Sequence, residues 1–186
     1  MGIFFSMSVF EPNQSTFYYD SNLWSNRKAF NIPGGQTGLD SQETKLPTYW
    51  CTPFTKICLG MKIGGETRFI LINEQASSLH SLIADGQHRA TSMGRDTWKS
   101  LIGSQASLQL HCNMEGFNCI GTYEARSKAR IGILANEQND CESPDSRIGF
   151  GTGGTPDDDN TCGNPAAFTS DNGHADITAM GYIFVQ

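Results

Sequence analysis

The chain lacks the features that would direct it to a membrane, to nucleic acid or to several common chemistries. No apolar run in its 186 residues approaches the roughly 18 to 20 needed for a helix to span a bilayer. Its 13 Lys and Arg against 19 Asp and Glu leave a net charge of −6 with no basic run, which excludes the electrostatic footprint of a nucleic-acid binder and favours a cationic partner or a metal. It contains no C-x-x-C, H-E-x-x-H or G-x-S-x-G motif, so the usual marks of thiol redox chemistry, zinc proteolysis and serine hydrolysis are missing. His80, His88, His111 and His174 stand far apart in sequence. A glycine-rich run at residues 149–154 is not followed by Gly-Lys-Ser/Thr, and the next charges are acidic, so a phosphate would be repelled there. No enzyme is expected.

Six cysteines are present, and their even number without metal-ligand spacing reads as disulfides in an oxidising compartment. Fifteen connectivities are open on paper. The favoured pairing is Cys141 with Cys162 and Cys58 with Cys112, with Cys51 and Cys119 as a third pair. Asn13-Gln14-Ser15 is a glycosylation sequon, consistent with a secreted, extracellular glycoprotein. The apolar stretch at residues 1–10 is short for a signal peptide and has no basic start, so residues 1–16 read as a leader or clipped signal before a single domain over 17–186.

From Phe17 onward, short apolar runs alternate with Gly, Asn, Pro and Ser, the rhythm of a loop-rich α+β or mostly-β domain. Alternating apolar residues over Phe54 to Ile63, then Gly64-Gly65, then Thr67 to Ile72 predict a hairpin. Ser77 to Ala84 and Asp96 to Ile102 predict short helices, the second capped by Asp96. Ala129 to Ala135 and Ala179 to Val185 have strand length and flank the acidic stretch, which suggests a pair of strands holding its ends together. Trp24, Tyr49, Trp50 and Trp98 are core aromatics or sugar-stacking platforms.

The densest chemistry lies between Asp145 and Asn164. Gly149, Gly151, Gly153 and Gly154 give a permissive backbone, and Asp157, Asp158, Asp159 and Asn160 follow Pro156. Two carboxylates, an amide oxygen from Asn160 or Asn164, and backbone carbonyls would make up the six to eight hard oxygens that calcium takes. The same residue types also make ordinary ion-free turns. Asp145, Gly153, Gly154, His174 and Asp176 are further candidate binding positions, the last two in a segment able to fold back beside the loop.

Several segments carry a resemblance: Leu23-Trp-Ser-Asn-Arg-Lys28, Glu43-Thr-Lys-Leu-Pro-Thr-Tyr-Trp50, Phe54-Thr-Lys-Ile-Cys-Leu-Gly-Met61, Ile83-Ala-Asp-Gly86 and Arg147-Ile-Gly-Phe-Gly-Thr-Gly-Gly154. Together they resemble the uncharacterised skeletal organic matrix proteins of stony corals and other anthozoans, and more distantly the C-terminal part of fibrinogen-related domains of the intelectin kind. The resemblance implies an α+β, loop-rich fold with short helices around an antiparallel sheet, and a calcium-supported, secreted protein associated with biomineralization. It implies an acidic calcium ligand at Asp157 and a ligand position at Asn164. Asp145-Ser146 stands where intelectins carry a histidine pair, and Arg147 stands where they carry cysteine. The expected function is a secreted, calcium-binding matrix protein that contacts glycans or matrix proteins. The alternatives are a calcium-dependent lectin and a disulfide-stapled interaction module without an ion.

Overall fold

The computed structural model describes residues 4–7, 16–35, 39, 41–123, 126–167 and 169–186, and the backbone alone for 4–7. The alternation after Phe54 builds strand β2 (Phe54–Ile63), which turns at Gly64-Gly65 into β3 (Glu66–Ala76) as expected. Gly64 sits at φ +60°, a conformation that disfavours residues with a Cβ. In chain order the elements are β1 (Phe4–Met7), a 3-10 turn (Ile32–Gly35), α1 (Thr48–Cys51), β2, β3, α2 (Leu79–Ile83), β4 (Arg89–Ala90), α3 (Arg95–Ser100), β5 (His111–Ile120), β6 (Lys128–Asn136), β7 (Ser146–Gly153), β8 (Cys162–Ala166), β9 (Ala175–Thr178) and β10 (Met180–Val185).

Two antiparallel sheets result. The smaller runs β10-β2-β3, with β1 along the outer edge of β10, and the larger runs β4-β5-β6-β7-β8-β9. The fold is therefore mostly β with short helices, and the single sheet expected from the sequence is two. Each sheet has an apolar face that must be covered, and each covers the other. Ile57, Leu59 and Met61 of β2, Ile70 and Ile72 of β3, and Ile183 and Val185 of β10 share one core with Ile131, Ile133, Ile148 and Phe150 of the larger sheet. Gly181 of β10 allows the closest approach, because a Cβ there would lie 2.7 Å from Cys162 Sγ and 2.8 Å from the Phe150 ring.

Phe4–Met7 lies within the stretch expected to be a leader, and its backbone pairs with β10. The sequon at Asn13 lies outside the described residues. The two strands expected to flank the acidic stretch as a pair, β6 and β10, belong to different sheets. β6 instead pairs with β5 and β7, and the ends of the acidic stretch are held by pairing of β7 with β8.

The N-terminal turns are tied to the body by the residues that carry the resemblance. Lys45 is buried and donates from Nζ to the carbonyls of Leu23 (2.5 Å) and Asn26 (2.7 Å), and Tyr49 Oη donates to Trp24 O at 2.7 Å. Trp24, Tyr49 and Trp98 are buried core aromatics, and Trp50 packs partly buried against the same core. These side chains are structural staples.

Helix α2 begins at a reciprocal cap in which Ser78 Oγ accepts from Ser81 N at 3.1 Å, which accounts for its legibility. Helix α3 is different. Gly94, not Asp96, occupies its cap position and gives no side-chain bond; the donors at its start go to Glu115 on β5. The Glu115 carboxylate accepts from Met93 N (3.0 Å), Gly94 N (3.0 Å), Thr91 Oγ1 (2.9 Å) and Trp98 Nε1 (2.7 Å). Burial alone would raise its pKa, but the donors from Trp98, Gly94, Thr91 and Met93 outweigh that and hold it below the ordinary glutamate value. A depressed acid contributes stability above its unfolded pKa and loses it as pH falls through the folded value. Glu115→Gln is thus expected to cost about 1–3 kcal/mol at neutral pH. The gap from wild type should close as pH falls below the glutamate range, as followed by urea unfolding at several pH values. A gap that is independent of pH would show that the carboxylate charge is not what anchors α3.

Candidate functional site

Three of the four glycines expected in a loop are in strand β7, and their role is close packing. Gly149 lies opposite Gly132 of β6, where a Cβ on either would meet backbone atoms of the other strand within 2.8 Å. The true loop is residues 154–161, between β7 and β8. Gly154 opens it at φ +77°, where an added Cβ would lie 1.8 Å from Arg126 O, so no other residue fits there without movement.

Inside the loop sits Arg147. The side chain leaves β7 fully buried and extends beneath the loop that follows. Its guanidinium donates to the carbonyls of Gly154 (3.0 Å), Thr155 (2.8 Å), Asp157 and Asn160 (3.3 Å), and to Ser127 Oγ (3.3 Å). Burial lowers its pKa to about 10, with the charges of Asp157, Asp158 and Asp176 acting in the opposite sense. It is protonated at neutral pH and supplies the positive charge around which the loop closes. The planar fork of arginine suits several carbonyls at once, which a lysine ammonium would not match.

Several of the expected site residues take part in the packing around Arg147. Of the glycine-rich run, the Gly154 carbonyl is hydrogen-bonded to Arg147, as are the carbonyls of Thr155, Asp157 and Asn160 in the turn that follows. Asn164 is completely buried, with Oδ1 accepting from Ser107 N and Nδ2 donating to Ser107 O and Arg147 O, each at 2.8 Å. It is a structural clamp between β8, β7 and the 107 segment. Asn160 is also buried; its Nδ2 donates to Asp176 Oδ1 (3.0 Å) and Ile177 O (3.1 Å), while its Oδ1 has no hydrogen bond. Asp158 Oδ1 accepts from Gly154 N at 2.5 Å, and Asp157 Oδ1 from Asp159 N at 3.0 Å, which are turn-closing bonds. Among the described residues no group of three or more His, Cys, Asp or Glu is placed to hold a metal.

The outer candidates divide between the two ends of β7. Asp176 on β9 reaches the loop through Asn160. His174 precedes β9 at the end farther from the loop, and is exposed. Asp145 precedes β7, about 25 Å of strand away from the loop. Burial there raises the Asp145 pKa, and the adjacent Glu137 raises it further. Gly153 and Asp158 border a recess with Tyr19, Asp20 and Lys128, where Lys128 Nζ meets Asp20 Oδ2 at 2.5 Å. A neighbouring cavity of about 450 Å³ adds Arg126, Thr155 and Pro156. The acidic loop thus faces its own cations.

No family model, curated protein or solved structure matches this chain.

The cysteines pair differently from expectation. Cys112 is bonded to Cys141, with their α-carbons 5.0 Å apart, while Cys51, Cys58, Cys119 and Cys162 are free thiols. Cys162 lies in the core beside Phe150 and Gly181, and Cys141 lies before the far end of β7, so the expected bond between them would have to cross the strand. Cys58 and Cys112 sit in different sheets, and Cys51 is exposed whereas Cys119 is buried. Burial pushes the thiols of Cys119 and Cys162 far above their ordinary range, which leaves them unreactive.

The residue that sequence reasoning missed is Arg147. The available signal was a lone charge within an otherwise uncharged, glycine-rich strand just ahead of a turn full of carbonyls.

Proposed function

We propose that this chain is a secreted, non-enzymatic binding module of the extracellular matrix type, whose acidic loop is shaped by Arg147 and meets cations, glycans or matrix proteins only at its outer face. The observation that carries this reading is the buried guanidinium beneath residues 154–160, which bonds four of the loop's carbonyls. The resemblance to skeletal matrix proteins supports the extracellular assignment, and so does the Cys112–Cys141 disulfide. Among the described residues no helix is long and apolar enough to cross a membrane.

Calcium, on this reading, reaches Asp157, Asp158 and Asp159 from solvent. A second cation inside the loop would face Arg147 and compete for carbonyls already bonded. Calorimetric titration is expected to give at most a site in the 10⁻⁴–10⁻³ M class of extracellular modules. The melting temperature is expected to be the same in chelator and in calcium kept below that range. A saturable micromolar site that raises the melting temperature would overturn the proposal and restore an ion-organised loop. The lectin alternative draws on the polar cavity of about 450 Å³ beside the loop; a glycan screen run with and without chelator separates it from protein-directed binding.

A further inference from the structure

β3 is an unprotected sheet edge, and it has the sequence of a strand that pairs with itself. It is 11 residues long and forms the outer strand of the smaller sheet. The other edges are short: β4 has two residues, and β1 and β9 have four each. The two-residue turn closes on the pair Ile63 and Glu66, so hydrogen-bonded and non-hydrogen-bonded pairs alternate from there, and the backbone groups of Thr67, Phe69, Leu71 and Asn73 point away from β2. Among the described residues no hydrogen bond reaches those outer groups. A groove of about 430 Å³ lies between Ile72, Asn73 and Glu74 on one side and residues 90–93 on the other.

Natural edges are usually blunted by charge or proline. The centre of β3, Phe69-Ile70-Leu71-Ile72, has neither, and Phe69 and Leu71 are 45% and 46% exposed. Its charges lie at the flanks: Arg68, three residues before Leu71, pairs with Glu66 and donates to Ile102 O at 3.0 Å within its own chain, and Glu74 lies three residues after.

We infer that β3 is a homodimer interface, in which two copies of this chain pair antiparallel about Leu71. A twofold axis there sets Leu71 against the partner's Leu71, Phe69 against the partner's Asn73 and Arg68 against the partner's Glu74. These first two pairs use the outward backbone groups, and the third places opposite charges directly across the ladder twice per dimer. A shift of the axis to Ile70 would set Glu66 against the partner's Glu74, so charge selects the register. The two smaller sheets become one continuous sheet, and the apolar outer faces around Phe69 and Leu71 become adjacent. This proposal is independent of the acidic loop.

The test is the solution mass of the full chain by sedimentation equilibrium across the micromolar range. The expected mass is about twice the 20.3 kDa chain. Leu71→Lys, at a half-exposed position, is expected to give a folded monomer with an unchanged melting temperature and near-ultraviolet spectrum. Glu74→Arg should weaken the dimer at least about tenfold by placing Arg68 against a partner arginine, and the double change Arg68→Glu with Glu74→Arg should restore it. If the Arg68 variant fails to fold, Leu71→Lys and Glu74→Arg decide the matter. A wild-type monomer, a dimer that survives Leu71→Lys, or open-ended larger assemblies would each overturn the inference.

Discussion

Arg147→Met is expected to remove about 3–5 kcal/mol of stability, the largest effect of any single change proposed for the loop. Methionine keeps an unbranched apolar stem and removes the donors. The carbonyls of Gly154, Thr155, Asp157 and Asn160 then lose their common partner in a buried layer. Each orphaned buried acceptor costs about 1–3 kcal/mol, and partial relaxation of the loop toward water recovers some of the sum. Urea unfolding of wild type and variant measures the difference through the midpoint at constant slope. Arg147→Lys should recover only part of the loss, because an ammonium cannot span carbonyls that the fork reaches together. A cost below about 1 kcal/mol for Arg147→Met would mean that the loop is held by its turn bonds alone, and Arg147 would lose its place as organiser of the site.

The second large effect concerns the disulfide. Cys112 and Cys141 are separated by 29 residues, and in the chain-entropy treatment a cross-link of that span stabilises by about 3.5 kcal/mol. The bond ties the start of β5 to the segment between β6 and β7. Replacing both cysteines with serine is expected to lower the melting temperature by roughly 7–14 °C for a chain of this size. Mild reduction of the wild type should reproduce that drop, while Cys162→Ser should leave sensitivity to reductant intact. Peptide mapping under non-reducing conditions supplies the direct check, since a fragment joining Cys141 to Cys162 would refute the pairing seen here.

The parts of the fold that were legible share a physical character. The β2–β3 hairpin announced itself because period-two alternation meets Gly64-Gly65, and both signals are local. Helix α2 was legible because Ser78 and Ser81 satisfy its first donors within one turn of chain. Helix α3 was placed correctly, but its cap was misassigned: the acceptor for its first donors is Glu115, some twenty residues away. The same distance hid the pairing of β6 with β7, since strand length and apolar content cannot specify a neighbour.

The candidate site followed that division. Asp157, Asp158 and Asp159 were found because turn and acceptor residues cluster visibly. The loop's carbonyls also meet a buried guanidinium that local sequence did not announce, because the composition that suits calcium also suits arginine, and both seek carbonyl and carboxylate oxygen. The clamp made by Asn164 was not legible, since the partners of a buried amide, Ser107 and Arg147, lie 57 and 17 residues away in the chain.

The sequence by itself determined the acidic balance, the absence of a membrane-length apolar run, the hairpin, the helical cap at Ser78 and the position of the acidic turn. All of these depend on residues within a few positions of one another or on composition. Tertiary structure alone decided that the strands form two sheets, that Cys112 meets Cys141, that Arg147 fills the loop and that β3 is left as a long free edge. Those outcomes depend on which distant apolar faces cover each other, and burial then dictates which polar groups must find one another.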